Sequence, residues 1–275
     1  MMHLLAAAAL AAAMPSAAPF SSPVAGMPEA PTAEPAMFVV RDADTTVYIF
    51  GTFHALDGKR RWFSDHVKDA FEQSNELVLE TLIPEQPTQV LSPSPGFKAP
   101  SVTPSASFLA TTRMAISAGR AQGMQVGNGA DMILRHVAEA EGKTVEGLET
   151  LQLQLDMFNR MPPATARPAS FSPPSAVARP NTMESLSKAM AEMQSAWIRG
   201  DQRVFVRMLD QLQDASPDTY RMMFTERNER WADWIRARMQ TPGTVFVAVG
   251  AGHLAGKDSL LVRLAERGIS SQRVN

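Results

Sequence analysis

Two histidines stand in the same local setting, and an imidazole can ligate a metal or move a proton near neutral pH. His54 ends the run Thr46-Val47-Tyr48-Ile49-Phe50-Gly51-Thr52-Phe53-His54, and His253 ends Thr244-Val245-Phe246-Val247-Ala248-Val249-Gly250-Ala251-Gly252-His253. In each, the His comes three residues after a Gly that follows β-branched and aromatic residues. Two carboxylates are placed alike: Glu80 closes Glu76-Leu77-Val78-Leu79-Glu80, and Glu149 follows Thr144-Val145-Glu146-Gly147-Leu148. Two His with one or two carboxylates make a ligand set for a divalent transition metal such as zinc, manganese or cobalt. Such an ion polarises a carbonyl and lowers the pKa of bound water, and a remaining glutamate serves as general base.

A single Gly-x-x-His carries little, because a His at a strand end is more often a solvated loop residue. Its repetition after two buried-strand patterns carries the weight. The segment Thr225-Glu226-Arg227-Asn228-Glu229-Arg230-Trp231-Ala232 has two readings. The plain one is a charged helix face with Glu226 and Arg230 paired one turn apart. The functional one sets Arg227 or Asn228 over the strand ends, where an Arg holds a substrate carboxylate or stabilises an oxyanion. His66 and His136 lie in helical patterns among polar neighbours and read as surface residues. Trp197, Trp231 and Trp234 read as core.

The elements that must position these groups follow from the apolar patterning. The runs ending at His54 and His253 hold hardly any polar residue, which fits strands buried on both faces of a parallel sheet. In open α/β sheets, sites form beyond the carboxyl ends of the strands. Gly51 and Gly250 are expected there for unusual backbone angles and close approach. Phe38–Arg41 and Thr46–Phe50 flank Asp42-Ala43-Asp44 and predict a hairpin. Further strands are expected at Glu76–Glu80, Gly123–Val126 and Thr144–Leu148, with helices at Asp65–Gln73, Ala106–Ala121, Thr150–Arg160 and Gly256–Arg267. Met183–Met239 is helical almost throughout, with breaks at Gly200 and Ser216-Pro217. The fold class is α/β: a largely parallel central sheet flanked by helices, with an inserted helical subdomain at about 183–240.

The 275 residues are 45% hydrophobic and 20% charged, with a net charge of -2. That balance offers no electrostatic reason for a nucleic-acid partner. Cysteine is absent, which excludes a thiolate metal site and a cysteine nucleophile. No Gly-x-Ser-x-Gly elbow and no dinucleotide or phosphate-loop fingerprint is present. Leu4–Ala13 and the small residues Met14–Ala18 predict a secretory signal peptide over residues 1–18, with cleavage after Ala13 or Ala18. Residues 19–36 read as a Pro/Ala/Ser-rich tether, and 37–275 as the domain. The expected location is periplasmic or secreted, with no integral membrane segment once the leader is removed. Thr81–Pro104 and Met161–Pro180 are Pro/Ser-rich interruptions, the first expected over the sheet ends.

Taken together, Ile49–His54, Leu77–Glu80, Gly142–Thr150, Glu226-Arg227-Asn228 and Val249–Leu254 resemble the TraB/GumN family. That family includes the pheromone-shutdown proteins and is related to the Tiki proteases. The resemblance runs from about Met37 to the C-terminus. It implies a site of His54, His253, Glu80, Glu149, Arg227 and Asn228, and a metal-dependent peptidase with a peptide or protein substrate, often exported. The resulting expectation is an ion held by His54, His253 and Glu80, with Glu149 as base or support and Arg227 orienting substrate. The rival is a non-catalytic envelope protein that sequesters a peptide or polysaccharide-related ligand in the same cleft. A third expectation, haem binding as in the distant ChaN relatives, ranks below both.

Overall fold

The computed structural model describes residues 32–82, 106–160 and 182–274. The expected leader, most of the tether and, apart from Thr81 and Leu82, both Pro/Ser-rich interruptions lie outside the described residues. Six strands form one sheet: β1 (Met37–Arg41), β2 (Thr45–Thr52), β3 (Glu76–Thr81), β4 (Thr144–Glu149), β5 (Gly243–Gly250) and β6 (Gln272–Arg273). Their order is β4-β3-β5-β2-β1-β6. The hairpin pairs β1 with β2 antiparallel, and β6 adds antiparallel to the outer side of β1. The four strands β4, β3, β5 and β2 run parallel. The α/β class with a largely parallel sheet is therefore what this chain forms.

The pleat explains how the sheet is covered. Successive residues of a strand face opposite ways, and the buried residues divide accordingly. Val39, Tyr48, Phe50, Leu77, Leu79, Phe246 and Ala248 point to one side. There they meet residues of α1 (Asp65–Glu72), α3 (Ala130–Ala140), α5 (Thr182–Ile198) and α6 (Arg203–Ala215). Val40, Val47, Ile49, Val78, Val245, Val247 and Val249 point to the other, against Trp231, Ile235, Leu260 and Leu264. Helices α2 (Ala106–Arg120) and α4 (Leu151–Arg160) are the other described helices before α5. After α6, a short α7 (Pro217–Tyr220) passes through a π-helical turn, Arg221–Thr225, into α8 (Glu226–Arg238). The last helix is α9 (Leu260–Glu266), capped by the Ser259 side chain.

Two local expectations change. Gly123–Val126 is not a strand: Gln125 makes one isolated bridge to Leu56, and Val126–Asn128 is a 3-10 turn. Gly51 and Gly250 do not need torsions closed to other residues, since neither is among the glycines with positive φ. What both supply is the missing side chain. No described helix is long and apolar enough to cross a membrane.

Candidate active site

Parallel neighbours end at the same edge, so the order β4-β3-β5-β2 brings four chain segments together. Glu149 ends β4, Glu80 lies next to the end of β3, Gly250 ends β5, and His54 follows β2. Thr52 of β2 stands opposite Gly250 of β5. A Cβ on Gly250 would lie 3.1 Å from Glu80 Oε1, 3.6 Å from His54 Nε2 and 3.8 Å from His253 Cδ2. The side-chain space of Gly250 is thus where both imidazoles and Glu80 converge. Its N–H donates to Glu80 Oε1 at 2.6 Å and fixes that carboxylate.

His253 sits in the 3-10 turn Ala251–Leu254 and is buried. Its ring packs between Phe224 and Trp231, with centroids 4.8 and 4.4 Å away. Nδ1 lies 2.7 Å from Asn228 Oδ1, and the Asn228 amide nitrogen donates to the Asp258 carbonyl at 2.7 Å. That second bond sets the amide so that its oxygen faces the ring, and Nδ1 must then be the donor. Nε2 consequently carries the lone pair, 3.8 Å from Glu80 Oε1. Burial pushes the His253 pKa down to about 3; Glu80 opposes this, while Arg227 and His54 add to it.

His54 is held differently. The N-terminus of α3 docks on its backbone, with Ala130 N–H donating to the Phe53 carbonyl at 3.0 Å. A Cβ on Gly129 would collide with the His54 carbonyl oxygen, so the close approach requires glycine. Asp131 thereby reaches His54, with Oδ1 3.3 Å from Nδ1. The pair makes no hydrogen bond at this geometry, and both atoms are buried without another partner. Burial pulls the His54 pKa down, but Asp131 and then Glu80 outweigh it and hold it up at about 9.

Arg227 occupies the middle. It is fully buried, and its Nη2 donates to Glu80 Oε2 at 2.7 Å while Nε donates to Glu149 at 3.0 and 3.1 Å. Nη1 donates to His253 Nε2 at 3.2 Å. The guanidinium also lies 4.5 Å from the Trp231 ring, a favourable cation–π contact. Burial pushes Glu80 up, yet Arg227, His253, His54 and the Gly250 N–H together hold it far below the ordinary carboxylate range. Arg230 closes the set with a 3.1 Å ion pair to Glu149. The plain reading of this helix face fails: Arg230 turns to Glu149, and Arg227 points inward.

The structure gathers His54, His253, Glu80, Glu149 and Arg227 as a connected group. His54, Glu80 and Arg227 line both cavities at the strand edge, whereas Glu149 lines neither and is spent on two arginines. Asn228 lies behind His253 and lines neither of these two cavities. His66 is exposed as expected, and His136 is half-buried beside a separate cavity. Asp131, Arg230 and Asp258 were not expected at the site. The signal for Asp131 was Gly129 at the helix start, which a helix begun only for itself does not need.

His54 Nε2, Glu80 Oε1 and His253 Cδ2 border the Gly250 space, His253 Nε2 faces Glu80 Oε1 and Arg227 Nη1, and each ring has an oxygen near its Nδ1. Among the described residues, no three His, Asp or Glu already form a metal cage, and Arg227 Nη1 covers His253 Nε2. For an ion to be held there, Arg227 would have to give up that contact. The TraB/PrgY/gumN family description matches this chain over residues 36–94 and 95–273. No curated protein and no solved structure matches it.

Proposed function

The chain belongs to the TraB/PrgY/gumN family, and on that premise we propose that it is an exported, metal-dependent hydrolase that cleaves peptides. One observation carries the reading: each imidazole has an oxygen behind its Nδ1, Asp131 or Asn228, while His54 turns Nε2 toward the Gly250 space and His253 turns Nε2 toward Glu80. This is how metal-binding histidines are oriented. His54, His253 and Glu80 would hold zinc, manganese or cobalt, which supplies polarisation of the amide carbonyl and activation of water.

The remaining residues divide the work. In hydrolysis, water adds across the amide, the C–N bond breaks, and the amine leaves with a proton. Glu80 is too strongly stabilised as an anion to act as base, which suits it to ligation. Asp131 is the other carboxylate lining one of the two cavities at the strand edge, and it would take the water proton. Arg227 stands beside the reacting carbonyl and stabilises its developing negative charge. Glu149 and Arg230 position Arg227, and Asn228 fixes the His253 tautomer. Export rests on the Leu4–Ala18 pattern.

The test is metal content after purification, followed by a peptide-library digest with added manganese, cobalt or zinc. His54→Ala and His253→Ala, made separately, should each lose the ion and cleavage. Full metal content in both variants would sink the proposal. Peptide retained without cleavage under any of the three metals would favour the non-catalytic envelope binding protein.

A further inference from the structure

A separate cavity of ≈ 440 Å³ is lined from α3, α5 and the segment that follows β2. That volume falls among small-molecule sites, which run from about 300 to 1,000 Å³. Its walls are mostly apolar. Ile133, Val137 and Ala140 form one stripe of α3, and Trp62, Phe63 and Trp197 contribute rings. The rings are fixed by each other and by the core. Trp62 stacks on Phe50 at 5.7 Å and meets Phe63 and Trp197 edge-on at 5.6 and 6.1 Å. The Trp197 N–H donates to the Gly51 carbonyl at 2.7 Å. Aromatic walls held in place favour a flat ring, which packs on them by offset stacking or edge contact.

Four charged residues reach the wall: Asp57, Arg60, Arg61 and Glu141. Both carboxylates are engaged. Asp57 accepts from the Lys59 N–H at 3.0 Å and lies 3.9 Å from Lys59 Nζ, and Glu141 lies 3.3 Å from Lys143 Nζ. Arg61 has a partner of its own. Arg60 is exposed and has none among the described residues. The Trp62 indole is a second unpaired donor: the residue is 5% exposed, and its N–H makes no hydrogen bond among the described residues. An indole N–H can only donate, and a guanidinium cannot accept, so both ask for an oxygen acceptor, preferably an anion.

We propose that this cavity binds a flat aromatic carboxylate, with its ring against Trp62, Phe63 and Trp197 and its carboxylate on Arg60 and the Trp62 N–H. The site is distinct from the hydrolytic centre. Helix α3 serves both with different residues: Asp131 and Arg135 line a cavity at the strand edge, while Ile133, Val137 and Ala140 line this one. Binding here needs neither metal nor cleavage, so it stands or falls apart from the hydrolase reading.

The experiment titrates 2-naphthoate, its uncharged amide and decanoate into the full chain by calorimetry. 2-Naphthoate should saturate one site, and the other two should bind at least about 3-fold more weakly. Arg60→Gln should weaken 2-naphthoate by about 3- to 5-fold and leave the amide unchanged. Trp62→Phe keeps a ring but removes the donor, and should cost about 5-fold. Ala140→Trp fills the cavity from an exposed wall position and should abolish binding. His54→Ala should bind as the wild type does. No saturation below about 1 mM, or an amide or decanoate bound as tightly as 2-naphthoate, overturns the proposal. Unchanged binding by folded Ala140→Trp overturns it too, and loss of binding in His54→Ala would put the carboxylate at the strand edge instead.

Discussion

His54 and His253 follow the same tripeptide spacing on strands paired in parallel, yet the fold treats them as opposites. His253 has 6% of its side chain exposed, sits between two aromatic rings, and donates from Nδ1 to a neutral amide. His54 has 19% exposed and faces the Asp131 carboxylate. The first is kept neutral, with its pKa at about 3, and the second is kept charged, at about 9. The motif delivers a ring to the strand edge; the group behind the ring decides its proton. A site that pairs a neutral imidazole with a charged one across a single glycine must shed one proton to take up a cation.

The largest test of this comparison removes the group lying between the rings. Arg227→Met leaves Glu149 and Glu80 buried without their shared cation, and breaking such a set costs about 3–5 kcal/mol. Urea denaturation should show a loss of that order. If anchoring sets the two rings apart, Arg227→Met leaves them apart: NMR titration still finds His253 neutral at pH 6 and His54 protonated at pH 8. Convergence of the two rings would assign the difference to Arg227 instead.

A smaller effect is expected behind His253. Asn228→Leu removes the acceptor from Nδ1–H and leaves a buried donor unsatisfied, a cost of about 1–3 kcal/mol. It also frees the tautomer, so Nε2 is no longer reserved for ligation. Metal affinity should then fall by about 10- to 100-fold, read by competition with a chelating dye. Unchanged affinity in a folded Asn228→Leu protein would mean that the amide only packs against the ring.

The sheet edge was legible because buried parallel strands write themselves as uninterrupted apolar runs, and the residue ending each run marks the edge. That reasoning reached His54, His253, Glu80 and Glu149. The centre itself was less legible. Arg227 lies in a string of charges that reads as a solvated face, and its burial depends on tertiary partners: Trp231 beneath it and two strand-end glutamates ahead of it. Asp131 was hidden for another reason. An acid in the first turn of a helix is satisfied by the helix dipole, so its presence asked for no distant partner. The strand order was beyond periodicity altogether, since β5 enters between β2 and β3 from the far end of the chain.

The smallest effect is the most selective. In metal-free protein, both histidines have an unfolded pKa of about 6.5. The folded pKa of His54 is raised, so its contribution is fully present below about 6.5 and is lost as pH rises through about 9. The folded pKa of His253 is depressed, so the unfolded chain binds more protons below about 6.5, and stability falls as pH drops toward about 3. The two limbs place the maximum of their joint contribution near pH 6.5. Asp131→Asn removes the largest attraction holding the His54 proton and lets burial prevail. Its cost should be greatest at and below about pH 6.5, where the raised His54 contributes in full. In stability measured against pH, the difference between wild type and Asp131→Asn should therefore shrink from pH 6.5 to 9, while the acid limb stays in place. An alkaline limb that survives Asp131→Asn would mean that Asp131 does not hold the His54 proton. A lost acid limb would mean that the two histidines titrate as one unit.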